Sequence, residues 1–181
     1  MRIVGGKNRS REILYPLNEK ITRPTKDMVR QGIFNVLAFD IQGTVVLDLF
    51  AGSGSMGFES LSRGASKAYF VDSSKDAIEV IRKNMNSLKE NENSVIINDD
   101  YKNALENFKN EKIMFDIIFL DPPYKVTTIP NIVSYCLEND LLTKNGIIVV
   151  ESNRFIDLDE KLFSKMKQYK YGKTLVTVWR K

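Results

Sequence analysis

The chain has 181 residues, 27 Lys+Arg against 23 Asp+Glu for a formal net charge of +4, and 43% hydrophobic residues, the balance of a soluble globular protein of one domain. One cysteine, Cys136, excludes an internal disulfide and points to a reducing, cytoplasmic setting, and the absence of histidine removes the commonest general base and metal ligand. No apolar run approaches the roughly 18 residues of a membrane span, and the N-terminus lacks the apolar block of a signal peptide.

The charge is unevenly placed. Residues 1–30 carry eight Lys/Arg and three Asp/Glu, residues 31–160 twelve and twenty, and residues 161–181 seven and none. Two basic ends therefore flank an acidic middle, a distribution that suits contact with a polyanion.

In chain order, Arg2-Ile3-Val4 and Glu12-Ile13-Leu14 can pair as a hairpin across Gly5-Gly6 and the basic turn Lys7–Arg11. Thr25 stands where an N-cap would, and Val29, Ile33, Val36 and Leu37 repeat at helical spacing, so residues 26–37 read as an amphipathic helix. Residues 1–37 form a basic extension and residues 38–181 a core, together one compact domain. Within the core the apolar runs Val45–Phe50, Lys67–Val71, Val95–Asn98, Phe115–Leu120 and Gly146–Glu151 alternate with helical patterns at 55–63, 75–89, 101–109 and 129–138. Near-continuous apolar strands between helices predict an α/β fold with a parallel sheet covered on both faces. Lys165–Tyr171 and Thr174–Trp179, joined at Gly172-Lys173, read as a closing hairpin that makes the last strand antiparallel.

The segment Val46-Leu-Asp-Leu-Phe-Ala-Gly-Ser-Gly-Ser-Met-Gly57 follows the first strong strand and opens a helix, with Gly52, Gly54 and Gly57 in G-x-G-x-x-G spacing. Glycines there allow a tight turn and close approach of backbone to a ligand at a helix N-terminus. Asp72 ends the second strand, where a carboxylate can accept from ribose hydroxyls. This order of elements predicts a nucleoside ligand. A nicotinamide dinucleotide is one candidate, but Asp48, at the end of the strand before the loop, suits a cationic ligand group better than a pyrophosphate.

Phe115-Asp-Ile-Ile-Phe-Leu-Asp-Pro-Pro-Tyr124 runs along a buried strand and ends in Asp121-Pro122-Pro123-Tyr124. Two successive prolines build a rigid corner that can aim the Asp121 carboxylate and the Pro122 carbonyl at one point. Two acceptors there can hold an exocyclic amino group, and Tyr124 offers a face for a planar base to stack on.

These motifs resemble those of S-adenosylmethionine-dependent amino-group methyltransferases. Met-Arg-Ile-Val-Gly-Gly at the start, Arg23-Pro-Thr-Lys-Asp27 and Phe34-Asn-Val-Leu37 are similar to one branch, the bacterial 16S ribosomal RNA guanine-N2 methyltransferases of the RsmD type. The resemblance covers essentially the whole chain. Its N-terminal elements are the specific part, because Asp-Pro-Pro-Tyr is shared with enzymes that methylate adenine in DNA. Met28 and Gln31-Gly32 depart from it, standing where the family usually has arginine and Glu with a small residue.

The resemblance implies a Rossmann-like class I methyltransferase with a mostly parallel seven-stranded sheet, acting as a monomer without a metal. It implies that Asp48, Phe50, Gly52, Gly54, Asp72, Ser73, Asp100 and Tyr101 hold S-adenosylmethionine, with Asp99 the alternative to Asp100 for the adenine amino group. Asp121, Pro122, Pro123 and Tyr124 would form the catalytic corner. Arg2, Lys7, Arg9, Arg11, Arg23, Thr25 and Arg30 are the expected contacts to 16S rRNA, within a small ribosomal subunit or its assembly intermediate. A DNA-adenine or protein-glutamine methyltransferase, and more remotely an NAD-dependent oxidoreductase, remain as alternatives. Cys136 and Trp179 read as core residues, and Lys75, Lys83 and Lys89 as a solvated helix face.

Overall fold

The computed structural model describes residues 1–16, 23–122, 129–156, 158 and 162–181, and of residues 23–26 the backbone only. Pro123 and Tyr124, and the side chains of Arg23 and Thr25, lie outside the described residues.

Among the described residues, five helices and seven strands follow in the order α1 (Arg23–Val36), β1 (Val45–Asp48), α2 (Ser55–Ser62), β2 (Lys67–Asp72), α3 (Lys75–Leu88), β3 (Ser94–Asn98), α4 (Tyr101–Asn110), β4 (Phe115–Leu120), α5 (Ile129–Glu138), β5 (Leu142–Ser152), β6 (Lys165–Tyr171) and β7 (Thr174–Arg180). They form one sheet in the order β3-β2-β1-β4-β5-β7-β6. The first five strands in that order are parallel, and β7 lies antiparallel between β5 and β6.

Alternation along the strands sends side chains to two separate cores. Val46, Phe70, Ile117, Phe119, Val149 and Val178 meet α1, α2 and α3 on one face. Leu47, Leu49, Val71, Ile118, Ile148 and Trp179 meet α4 and α5 on the other. Cys136 lies in this second core, and burial pushes its thiol up to about 12, which keeps it protonated and inert.

Two expectations on boundaries are corrected. Helix α1 begins at Arg23, so Thr25 lies inside its first turn rather than capping it. Pro24 is tolerated there because a first-turn N–H has no partner within the helix. Strand β5 begins at Leu142 and not near Gly146, because a register shift between Phe115 and Ile117 lets Leu142 pair with Phe115.

The N-terminal segment forms the expected hairpin. Arg2 and Glu12 make an antiparallel bridge, and the Ile3 N–H donates to the Arg11 carbonyl at 3.0 Å. It packs on α2 and α3 rather than joining the sheet. The Lys7 N–H donates to the Ser62 carbonyl at 2.8 Å, and the Asn8 side chain donates to Glu90 at 2.7 Å. Gly6 has φ 74°, and a Cβ there would lie 1.8 Å from the Ser62 carbonyl oxygen, so only glycine fits this approach.

Beneath the hairpin is a fully buried carboxylate. Glu59 accepts from the Val4 N–H at 2.8 Å and from Arg63 Nε at 2.8 Å, with Arg30 Nε 3.6 Å away. Arg30 is 3% exposed and also donates to Asp27 at 2.9 Å and to the Arg2 carbonyl. Burial lowers the affinity of its guanidinium for the proton, and the charges of Glu59 and Asp27 oppose that effect. Replacing Glu59 by alanine leaves Arg30 buried without this counter-charge. The expected result is a loss of about 3–5 kcal/mol in urea unfolding, and a variant as stable as the parent would show the charge is solvated.

Candidate active site

The strand order reverses direction at β1. From β1 the chain moves to β2 on one side and later to β4 on the other. Ligands of open α/β sheets bind in the crevice at the carboxyl ends of strands at such a switch point. Acidic residues lie at that edge on every parallel strand: Asp48 ends β1, Asp72 ends β2, Asp99 and Asp100 follow β3, Asp121 follows β4 and Glu151 lies next to the end of β5.

The glycine loop is built for a backbone cradle. Gly52 and Gly54 have φ 53° and 77°, which glycine adopts without strain. A Cβ on Gly57 would lie 2.3 Å from the Phe70 ring, so this third glycine serves close helix-to-sheet packing. Asp72 accepts from the Gly52 N–H and the Ser74 N–H, both at 2.8 Å, tying the loop to the start of α3. A carboxylate has about four acceptor positions, and two backbone bonds leave capacity for two hydroxyls.

Asp48 is 3% exposed and accepts from the Gly57 N–H at 3.1 Å. Burial pushes its carboxyl up to about 8; the Gly57 hydrogen bond opposes this, and the nearby charges of Asp121 and Asp72 add to it. It is therefore an acid that a cationic group would strongly favour in its ionised form.

At the β3 end, Asp100 caps α4 by accepting from the Lys102 N–H at 2.9 Å. Asp99 accepts from the Asp100 N–H at 2.7 Å and from Asn103 Nδ2 at 2.9 Å. The rings of Phe50 and Tyr101 approach to 5.3 Å and make an aromatic wall between the β1 and β3 ends. Ser73 is exposed beside Asp72. Asp121 is exposed and Pro122 buried at the end of β4. The structure thus brings the expected residues Asp48, Phe50, Gly52, Gly54, Asp72, Ser73, Asp100, Tyr101, Asp121 and Pro122 to one edge.

The basic candidates divide. Arg2, Lys7, Arg9 and Arg11 are exposed on the hairpin. Lys7 is paired with Glu90 at 2.9 Å while 58% exposed, and Arg2 and Arg11 donate to the carbonyls of Ser10 and Ser87. Arg30 is the exception. It is interior and braced by Glu59, so it is not an RNA contact in this conformation.

A further residue escaped the sequence pattern. Asn84, 1% exposed on α3, accepts from the Leu14 N–H at 2.7 Å and donates to the Leu14 carbonyl at 2.9 Å and to the Ser53 carbonyl at 3.0 Å. It fixes the glycine loop and the hairpin at once. The one signal available was a polar residue on the apolar stripe of Ile78, Ile81 and Leu88.

The family model described as conserved hypothetical protein 95 matches residues 1–180. The chain belongs to this family. A Bacillus subtilis relative named as an rRNA methyltransferase, YlbH, is 34% identical over 100% of this chain and 99% of its own. Ribosomal RNA small subunit methyltransferase D of Haemophilus influenzae is 38% identical over 85% of this chain and 79% of its own. An Escherichia coli structure described as methyltransferase yhhF superposes with a TM-score of 0.85 at 28% identity, over 100% and 97% of the two chains. The protein is an RsmD-type, S-adenosylmethionine-dependent methyltransferase of class I fold.

The residues present fit that cofactor. Asp72 retains acceptor capacity for a ribose, the tilted rings of Phe50 and Tyr101 offer an aromatic surface, and buried Asp48 calls for a positive partner of the kind a sulfonium or an ammonium provides. The family sets the oxidoreductase alternative aside, since its curated relatives are named as methyltransferases.

Proposed function

We propose that this RsmD-type enzyme methylates the exocyclic N2 amino group of a guanine in 16S rRNA, acting as a cytoplasmic monomer on a small ribosomal subunit or an assembly intermediate. The observation that carries the reading is Asp121 and Pro122 at the end of β4, two acceptors beside the glycine loop in a family whose curated relatives are named for rRNA.

S-adenosylmethionine, when bound, supplies an electrophilic methyl group on sulfur. Gly52 and Gly54 would give it backbone contact, Asp72 would accept from its ribose hydroxyls, and Asp100 with the Tyr101 backbone would hold the adenine. The guanine N2 lone pair is delocalised into its ring, which makes the nitrogen a poor nucleophile. Hydrogen bonds from that amino group to the Asp121 carboxylate and the Pro122 carbonyl favour a pyramidal nitrogen and stabilise the positive charge that develops on it. Tyr124, outside the described residues, would supply the face on which the base stacks. The nitrogen would take the methyl with the thioether as leaving group, and Asp121 is placed to take the surplus N–H proton or pass it to solvent. A guanine inside a helix must first be extruded. Alignment of the reacting atoms accounts for up to about 7–11 kcal/mol of the barrier. Arg2, Lys7, Arg9 and Arg11 on the hairpin, with Arg23 and Thr25 at the start of α1, are the proposed RNA contacts.

The test is methyl transfer from labelled cofactor onto unmodified small subunits, naked 16S rRNA, DNA and protein, with mapping of the product. Label on the N2 of one guanine in 16S rRNA is the expected result. Label confined to DNA adenine or to protein would overturn the reading.

A further inference from the structure

The two basic ends of the sequence meet in the fold. Helix α1 packs along the β6–β7 hairpin: a Cβ on Gly32 would lie 2.2 Å from the Tyr171 hydroxyl, and Val36, one helical turn on, borders Lys165 and Lys167. Strand β6 is an edge of the sheet. Its residues 165, 167, 169 and 171 share the face that α1 covers in part.

Beside the end of α1 that face encloses a hollow of about 170 Å³ lined by Val36, Lys165, Lys167, Tyr169, Val178 and Arg180. Arg180 is neutralised by a two-pronged pair with Asp40 at 2.8 and 2.7 Å. Lys165 and Lys167 are exposed and have no carboxylate of a described residue within 4 Å. Residues 161–181 contain no acidic residue. The hollow therefore presents two cations that have no ion-pair partner among the described residues, over a floor of Tyr169 and Val178.

Its position relative to the active site follows from strand direction. Strand β7 is antiparallel to both β5 and β6, so β6 runs the same way as β5. The Tyr171 end of β6 thus lies at the sheet edge that carries Asp48, Asp72 and Asp121. Seven residues of strand span roughly 20 Å, so a strip runs from Lys165 and Lys167 at the hollow, past Tyr169 and Tyr171, to the Lys173 turn on the active-site side.

We propose that this α1–β6 strip is a second docking surface for the RNA substrate, with Lys165 and Lys167 binding the phosphate backbone while the target base occupies the Asp121 corner. The inference rests on the rRNA reading above and adds a surface to it. The occupant is argued from charge. An RNA strand is a polyanion, the exposed charged residues of β6 and its turn, Lys165, Lys167, Lys170 and Lys173, are all cationic, and the strand leads to the catalytic edge. Lysines on an edge strand also guard against pairing with another sheet. That duty is met by a charge of either sign, which separates the two roles.

The experiment compares the parent with a K165E/K167E variant and a K165R/K167R variant. It measures binding to naked 16S rRNA across salt, methyl transfer to small subunits, and binding of S-adenosylhomocysteine. The glutamate variant is expected to bind RNA at least about tenfold more weakly at low salt, with the slope of log affinity against log salt reduced by roughly 1.4–1.8 for two lost phosphate contacts. KM for the subunit rises while kcat and S-adenosylhomocysteine affinity hold, and the arginine variant behaves as the parent. Unchanged affinity and slope in the glutamate variant would overturn the proposal while leaving the rRNA reading intact. A raised KM on assembled subunits with unchanged binding to naked RNA would assign the strip to a ribosomal protein and overturn it too. A parent protein that neither binds nor methylates RNA would remove the rRNA reading itself, and this inference with it.

Discussion

Replacing Asp121 by alanine is expected to lower the single-turnover rate of methyl transfer by about 10²–10³-fold, the usual effect of deleting one group that stabilises transition-state charge. Cofactor affinity should largely hold. The reason lies in Asp48, whose carboxyl is driven upward in part by the charge of Asp121. Removing that charge makes the buried acid easier to ionise, which offsets the negative charge lost at Asp121. Rapid-quench kinetics on unmodified subunits and calorimetric titration of the cofactor read the two effects separately. A variant that transfers methyl at the parent rate would remove Asp121 from the chemistry.

Asp48→Asn tests the cofactor side of the site through pH. The folded-state value of about 8 lies far above the ordinary carboxyl value of 3.8. A raised acid destabilises the fold once the unfolded chain ionises: the penalty is absent below about pH 4, grows as pH rises, and is complete above about 8. Asparagine keeps an acceptor for the Gly57 N–H and carries no such penalty. The variant should therefore gain stability over the parent progressively between pH 5 and 8 in urea unfolding. Cofactor binding should respond in the opposite sense. If the bound cation ionises Asp48, each pH unit gained below 8 tightens the parent's affinity by up to about tenfold. The variant should show a flat profile and, at pH 8, an affinity weaker by at least about tenfold. Identical pH profiles for parent and variant would show that Asp48 orders the loop and does nothing more.

Sequence periodicity was sufficient for the elements that bury one face. Phe115–Leu120 and Lys165–Tyr171 match the observed strands end to end, because each is bounded by residues that break the pattern. It failed where a distant partner decides the outcome. Arg30 follows Val29 in a charged helix and reads as a surface residue, yet Glu59, on another helix, draws it inside. Leu142–Asn145 carry little apolar pattern, and their place in β5 depends on the shift opposite Phe115. The acids at the strand ends were legible because each occupies a fixed offset from a strand or glycine. Asn84 was not, since its partners Leu14 and Ser53 are separated from it by 70 and 31 residues.

The place of β7 bears on how the molecule is made. It follows β6 in the chain but lies between β5 and β6 in the sheet. While the ribosome is still adding residues 174–180, β5 has an open edge and β6 has nothing to pair with. The N-terminal hairpin waits as well, because its anchors Ser62, Asn84 and Glu90 emerge 54 to 83 residues after the groups they bind. Docking of the first segment thus depends on α3, and closure of the sheet on the final strand. Nascent chains stopped short of Thr174 should expose the apolar Ile147–Val150 edge and be the species most prone to aggregate.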